Sequence, residues 1–597
     1  MPIKEIPACN FYNKRKTDSI RVINIVRNSN SSDIDDLEIT DQDSDVDSQS
    51  EYNAFITRHP HPLEDLSSDS EEQSSDDEDI PLIHMAGPNT LMKCANQQRT
   101  WFQEKDNAYA AGNPPPFLGQ NMINIDGDTP YSFFIKLFTE DIFQMIAYET
   151  NLYAIQSGKE NLSVSVGEIK QFFAINMMMT YIKYPAYRMY WSSTPGLRFE
   201  MIADAMSLKR YEEIKRYLHF TNNLNIPDDN KDSFIKIRPL LDKLSTSFAE
   251  AAEPTEFLSI DEMIIPFKGR HRMKQYIKSK PKKWGFKVWV RASANGYVSK
   301  FKMYQSADKS TVSNLGVIGD TVMRLCQDIV GKNHKIFMDN LFTSIPTINS
   351  LKTKDIYVVG TIRTNRLQGA GEKLVDTKVL LKTGRGSSSV ATSSDNISVI
   401  RWSDNKIVHM ISSFCGQEPQ DSAQRWDRKT KKHVEVSRPQ CIIQYNRFMG
   451  GVDMTDRMVA HYPHGVKCKK YYMRIVYHFL NVATVNAWLL FKEKKNLKMS
   501  LLDFKASVAA TLIQLNQGGK KRGRPSSQAE TSAPSKKKAW VKTAVEIRTN
   551  NVGHYPMKKE YKNPPRCHDK NCKKRTRYAC KKCNEPVCPE CMEEFHR

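Results

Sequence analysis

Two short apolar segments, each carrying a carboxylate, constrain this chain more than anything else in it. Phe257–Ile265 reads Phe-Leu-Ser-Ile-Asp-Glu-Met-Ile-Ile, with Asp261 inside a strand pattern, and the strand pattern Lys335–Met338 ends at Asp339. Buried carboxylates are costly unless they are paired or bound to metal. Between the two, Gly285–Ser293 and Tyr297–Gln305 alternate around Asn295-Gly296, the strongest short-range hairpin signal. A helical pattern at Thr311–Ile329 precedes the second carboxylate, and a further strand, Ile356–Ile362, follows a short helical connection.

Strand, hairpin, helix, strand, helix, strand is the order of an RNase H-like α/β core. In such a sheet the first and fourth strands are neighbours, so Asp261 and Asp339 are expected to face one another. Two carboxylates at that spacing can hold a pair of divalent ions ~3.5–4 Å apart, one activating the attacking oxygen and one stabilising the leaving oxygen. Mg²⁺ (or Mn²⁺) suits such oxygen ligands. A third acidic site lies at Gly450-Gly451-Val452-Asp453-Met454-Thr455-Asp456, where glycines permit a tight turn into a helix. Taken alone, Asp453 reads first as a helix N-cap.

The 597 residues are 40% apolar and 26% charged, a globular mix with material for a large core. Lys and Arg number 88 against 67 Asp and Glu, a net charge of +21 that favours polyanionic partners. That charge is segregated. Residues 31–80 hold 18 acids and one base, Arg58, with too little apolar surface to offset the entropy of ordering, so a disordered acidic N-terminus is expected. Ser68, Ser74 and Ser75 each have an acid three residues on, the pattern an acidophilic kinase needs. Near Gln517 a basic linker begins. Lys520-Lys521-Arg522 and Lys536-Lys537-Lys538, separated by a polar spacer, suit a bipartite nuclear import signal and hence the nucleus. Arg522 and Arg524 also fit an AT-hook-like minor-groove contact. Residues 129–250 read as mostly helical. The best apolar run, Ile475–Phe491, is interrupted by His478, Asn481 and Asn486, so no membrane span is expected, and no secretion signal is evident.

The chain resembles the piggyBac-type transposases. The matching pieces are Ser259-Ile260-Asp261-Glu262 through Phe267-Lys268-Gly269-Arg270, Lys280-Pro281-Lys282-Lys283-Trp284-Gly285, Met338-Asp339-Asn340-Leu341-Phe342-Thr343-Ser344, Gly360-Thr361-Ile362-Arg363, and Tyr445-Asn446 through Asp456. Upstream, Glu149–Ala154 and Met189–Ser192 also fit. The resemblance implies that Asp261, Asp339 and Asp453 are catalytic metal ligands, with Asp456 a further required acid. It implies a homodimer that binds double-stranded DNA at transposon terminal repeats, excises through hairpin ends and integrates at TTAA. With the acidic region (1–113) read as disordered from its composition, it also implies a division into a helical dimerisation and DNA-binding domain in two parts (114–256 and 458–515) and an RNase H-like catalytic domain in two parts (257–366 and 438–457). An insertion domain (367–437), a basic linker (516–560) and a zinc-binding Cys-rich domain (561–597) complete it. Where several relatives carry a tryptophan, this chain has Lys469-Lys470-Tyr471-Tyr472, leaving Tyr472 as the stacking candidate.

Between Met263 and Arg291 there are ten Lys or Arg and no acid. Lys268, Arg270, Lys282 and Lys283 suit phosphate contacts beside the cleavage site, as do Lys469 and Lys470, and Trp284 suits stacking. Six of the 12 Cys fall in the last 31 residues, while the rest are scattered singly. Cys567, Cys572, Cys580, Cys583, Cys588, Cys591 and His596 have the spacing of tetrahedral Zn²⁺ ligands. Two ions need eight ligands, and His568 or His554 could supply the eighth. The competing function class is a domesticated, non-catalytic DNA- or chromatin-binding protein that keeps the fold.

Overall fold

The computed structural model describes residues 99–109, 113–278, 280, 282–305, 313–427, 431–465, 468, 470–516, 548–549, 553–561 and 563–597. The acidic run with its serines, Lys469, and the basic residues Lys520, Lys521, Arg522, Arg524, Lys536, Lys537 and Lys538 lie outside the described residues.

Strand β1 (Trp101–Gln103) precedes a helical block of α1 (Pro130–Leu137), α2 (Glu140–Gln156), α3 (Val166–Met178), α4 (Glu200–Ala205), α5 (Leu208–Tyr217) and α6 (Arg238–Ala251). Local chemistry sets several starts. Thr129 and Ser132 form a capping box ahead of α1, whose first residue is Pro130, and Ser165 and Glu168 do the same for α3. Glu168 also receives Arg210 of α5 at 2.6 and 2.9 Å, which ties two helices together.

Next come β2 (Phe257–Pro266), β3 (Lys274–Tyr276), β4 (Trp284–Ser293), β5 (Val298–Met303), α7 (Gly316–Leu325), β6 (His334–Met338), α8 (Ile345–Lys352) and β7 (Ile356–Thr361). Strands β4 and β5 form the Asn295-Gly296 hairpin, with Gly296 at φ +94° and the Asn295 side chain accepting from Tyr297 N at 3.0 Å. Across the sheet, β4 is antiparallel to β2, β2 is parallel to β6, and β6 is parallel to β7. The strands that lead to Asp261 and Asp339, β2 and β6, are therefore neighbours, with the short β3 added to the expected order.

Residues 367–437 do not stand apart from this sheet. They hold α9 (Thr377–Thr383), β8 (Ser388–Ser393), β9 (Ser398–Ser403), β10 (Ile407–Ser412), β11 (Asp421–Asp427) and β12 (Lys432–Arg438). Strand β10 pairs with β7, β9 with β10, β8 with β9, and β1 closes the edge on β8, while β11 and β12 form a separate two-stranded ribbon. The chain then enters α10 (Gln440–Phe448), α11 (Gly451–His461), α12 (Tyr472–Lys495) and α13 (Leu501–Gln514).

Helix α12 packs on α1, and α13 on α1 and α3, so the helical block is assembled from both sides of the sheet-forming segment. One core cluster joins these helices to Met263, Ile265, Phe286, Val288 and Val290 on one sheet face. A second lies on the opposite face, between Leu258, Ile260, Ile336 and Met338 and helices α7 and α8. The polar residues that interrupt α12 have partners. Asn486 bonds Val298 N at 3.0 Å and Val298 O at 2.8 Å, so α12 is a buried core helix braced on β5. Among the described residues no helix is long and apolar enough to cross a membrane. The last elements are β13 (Pro556–Lys558), β14 (Tyr578–Cys580) and α14 (Met592–His596).

Candidate active site

Strands β2 and β6 match residue for residue from Phe257↔Lys335 to Ile260↔Met338, and Asp261 and Asp339 are the next residue on each. Past Met338 strand β6 has ended, and Asp339 Oδ1 accepts from Leu341 N at 2.9 Å in a tight turn. Glu262 N donates to Asp261 Oδ1 at 2.7 Å. Alternate residues of a strand face opposite ways, yet with β6 finished the edge of β2 is open here, and Glu262 joins the cluster. One oxygen from each of Asp261, Glu262 and Asp339 lies within 4.8 Å of the others. Glu262 Oε2 is buried with no hydrogen-bond partner, and the Lys287 ammonium is 4.0 Å from it. An oxygen-only donor set with one orphaned buried carboxylate oxygen fits a hard divalent cation. Glu262 went unassigned in the sequence because it looks like the solvated neighbour of Asp261.

Asp453 and Asp456 sit three apart on α11, on one face of the helix. Gly451 brings that helix in: a Cβ there would collide with Ser293 O of β4 and Ser259 Oγ of β2. Thr455, fully buried, then donates to Gly296 O at 2.6 Å and locks α11 to the hairpin turn. Asp453 is on the rim, its side chain 63% exposed, and its Oδ1 lies 3.3 Å from the Lys280 ammonium. It is not among the three clustered carboxylates.

The acids perturb one another. Burial, above all, pushes Asp261 well above the usual carboxylate range, with Lys280 opposing and Glu262, Asp339 and Asp453 reinforcing. Burial and then the Glu262 charge push Asp339 up to about 6. Burial likewise pushes Asp456 up to about 7, against the pull of Lys280. Burial alone would lower Lys280, but Asp261, Asp453, Glu262 and Asp456 together hold it above the usual lysine range. Burial first and mutual repulsion second thus raise these acids, a pattern common at functional sites.

The Transposase IS4 family matches residues 129–488. Human PiggyBac transposable element-derived protein 3 is 29% identical over 468 residues, covering 77% of this chain and 75% of the relative. Human PiggyBac transposable element-derived protein 2 is 30% identical over 415 residues, covering 68% of this chain and 69% of the relative. This chain is a piggyBac-type member of the Transposase IS4 family. Its fold is shared with the piggyBac transposase solved by cryo-EM as a synaptic complex with hairpin DNA, at a TM-score of 0.57 and 22% identity over 79% of this chain and 98% of that one. It is a transposase or a protein derived from one.

Around the acids of this piggyBac-type chain, Lys268, Arg270, Lys282, Lys283 and Trp284 are all exposed. Trp284, 50% exposed, lies 4.9 Å from Tyr276 across the β3–β4 pair, with the Lys274 ammonium 4.5 Å over its ring. Two residues differ from expectation. Tyr472 is not available to stack on a base, because it opens α12 inside the helical core, 5% exposed and edge-on to Phe220. Lys470 gives its ammonium to Arg216 O and Leu218 O at 2.8 and 3.0 Å, capping the end of α5 instead of reaching out as a free cation.

The Cys-rich end brings two tetrads together: Cys567, Cys572, Cys588 and Cys591, and His554, Cys580, Cys583 and His596. Their ligands interleave along the chain, and each tetrad has the donor types of a closed zinc site. Of the two histidines considered for the eighth position, it is His554 that lies with the second tetrad. His568 instead pairs with the buried Glu585 at 2.6 Å. Val587, Met592 and Phe595 supply little more than a patch of core, too small to hold the module alone.

Proposed function

We propose that this chain is a cut-and-paste DNA transposase: it binds transposon ends as a homodimer in the nucleus, excises through hairpin ends and integrates at TTAA. The observation carrying this reading is the convergence of Asp261, Glu262 and Asp339, joined by Asp453 at the rim and by the more buried Asp456. Asp261, Asp339 and Asp453 would hold Mg²⁺ or Mn²⁺, which when bound supplies charge for the attacking and leaving oxygens of a phosphodiester. The chain's own residues do the rest. Lys268, Arg270, Lys282 and Lys283 contact phosphates and set the register of the duplex without reading sequence. Trp284, with Tyr276 beside it, offers a ring on which a base released from pairing can stack. Two Zn²⁺ ions would fold the Cys-rich module, whose Lys573, Lys574, Arg575 and Arg577 suit transposon-end DNA.

A second reading, a domesticated DNA- or chromatin-binding protein, is favoured by the human relatives named as transposable element-derived. Excision of a reporter flanked by this gene's own genomic ends separates the two. Wild-type excision restoring a single TTAA, absent with Asp261→Asn, supports the transposase. End binding without excision by either protein supports the domesticated form.

A further inference from the structure

Ten cations lie between Met263 and Arg291, and they divide by burial: Arg291 is committed to Asp328, Lys287 lies 4.0 Å from Glu262, and Lys280 is the cation that reaches Asp453. Lys268, Arg270, Lys282 and Lys283 are exposed, whereas the Lys280 side chain is only 18% exposed and turns inward from the β3–β4 loop. Its ammonium meets Asp453 Oδ1 at 3.3 Å. Asp453, for its part, stands outside the trio of Asp261, Glu262 and Asp339, whose oxygens already gather within 4.8 Å. Asp453 thus has a lysine for a partner, and Glu262 Oε2 is buried with no hydrogen-bond partner.

We infer that Lys280 is the resident counter-ion of the acid site: its ammonium and a divalent cation compete for Asp453, and metal entry releases the lysine. The inference rests on reading Asp261, Asp339 and Asp453 as metal-binding acids. A lysine suits exchange because its point charge rides on a flexible four-carbon stem and can withdraw by rotamer changes, where an arginine fork would hold on. A divalent ion at Asp453 and an ammonium 3.3 Å from one of its oxygens repel one another, so each weakens the other's hold on the carboxylate. Lys280 is thus a positioning residue, holding Asp453 until metal arrives and setting a threshold for metal loading.

The test is Mn²⁺ titration of the full chain without DNA, reading free Mn²⁺ by its electron paramagnetic resonance signal. Uptake that survives in Asp261→Asn, including any at the Cys-rich module, is subtracted. At the remaining site, Lys280→Met and Lys280→Gln should bind Mn²⁺ at least about three-fold more tightly than wild type, the scale of one partly exposed ion pair, and Lys280→Arg should not. Equal or weaker binding by both neutral variants, with wild type binding normally, overturns the exchange and leaves Lys280 a phosphate contact or a structural brace. If wild type takes up no more Mn²⁺ than Asp261→Asn, the metal reading of the acids falls, and the exchange falls with it.

Discussion

Asp261 and Asp339 stand side by side because Ile260 of β2 is matched to Met338 of β6 in a parallel pair, and each aspartate is the next residue along its strand. Register alone puts two carboxylates side by side where β6 ends and β2 runs on to Pro266. Asp261→Asn or Asp339→Asn should lower cleavage of an end-bearing duplex by more than about 100-fold, the scale of losing one electrostatic group in a preorganised site. Fluorescence anisotropy should find end binding within a few-fold of wild type. Loss of binding in both variants would make the aspartates structural.

Gly451 sets how closely α11 approaches the sheet. Gly451→Ala should cost about 1–3 kcal/mol, because its Cβ meets backbone and a buried serine that have nowhere to go. Denaturant unfolding measures that cost. Cleavage should fall further than stability explains, since the displaced helix carries Asp453 and Asp456.

Asp456 makes a signed prediction about pH. Its carboxyl is raised from 3.8 to about 7, chiefly by burial, so the folded state holds that proton more tightly than the unfolded chain. Its contribution to stability is complete below about pH 4 and is lost as the pH rises through about 7. Asp456→Asn stays neutral throughout. In metal-free buffer the unfolding free energies of variant and wild type should converge near pH 4 and separate in the variant's favour toward pH 8, by up to about 4 kcal/mol. A constant difference across that range would sink the assignment.

For the Cys-rich module, atomic emission should find two zinc ions per full chain. His554→Ala should lower that number, and His568→Ala should not, because only His554 lies with Cys580, Cys583 and His596. Cys580→Ser should unfold the module and leave the melting of the rest unchanged.

Much of this arrangement is written locally. An aspartate inside Phe257–Ile265, Asn-Gly between two alternating runs, and paired glycines ahead of a helix are each readable from a few neighbouring residues. What could not be read depends on where other segments stop or lie. Glu262 joins the acids only because β6 ends at Met338, some 75 residues later in sequence. Tyr472 has the composition of a stacking residue, but Phe220 and His219 enclose it. The Ser-rich stretch 367–437 looks like a separate insertion, yet β10 hydrogen-bonds to β7 through Met410↔Thr361 and its neighbours. Lys280 is one of ten similar cations until its loop is folded. His554 lies 13 residues ahead of Cys567, outside the dense spacing that gives the other ligands away.

The edge pairing of β1 with β8 matches Trp101 to Ser393, and the acids come from residues 261, 339 and 453. On a ribosome this order matters. Strand β1 emerges long before its partner exists, and no nascent chain shorter than about 450 residues carries the rim acids. Contacts this distant in sequence make for slow folding, and for the transposase proposed above they would also impose a safeguard: a half-made or truncated chain could expose its basic surfaces to DNA while lacking the complete set of carboxylates proposed to cut it.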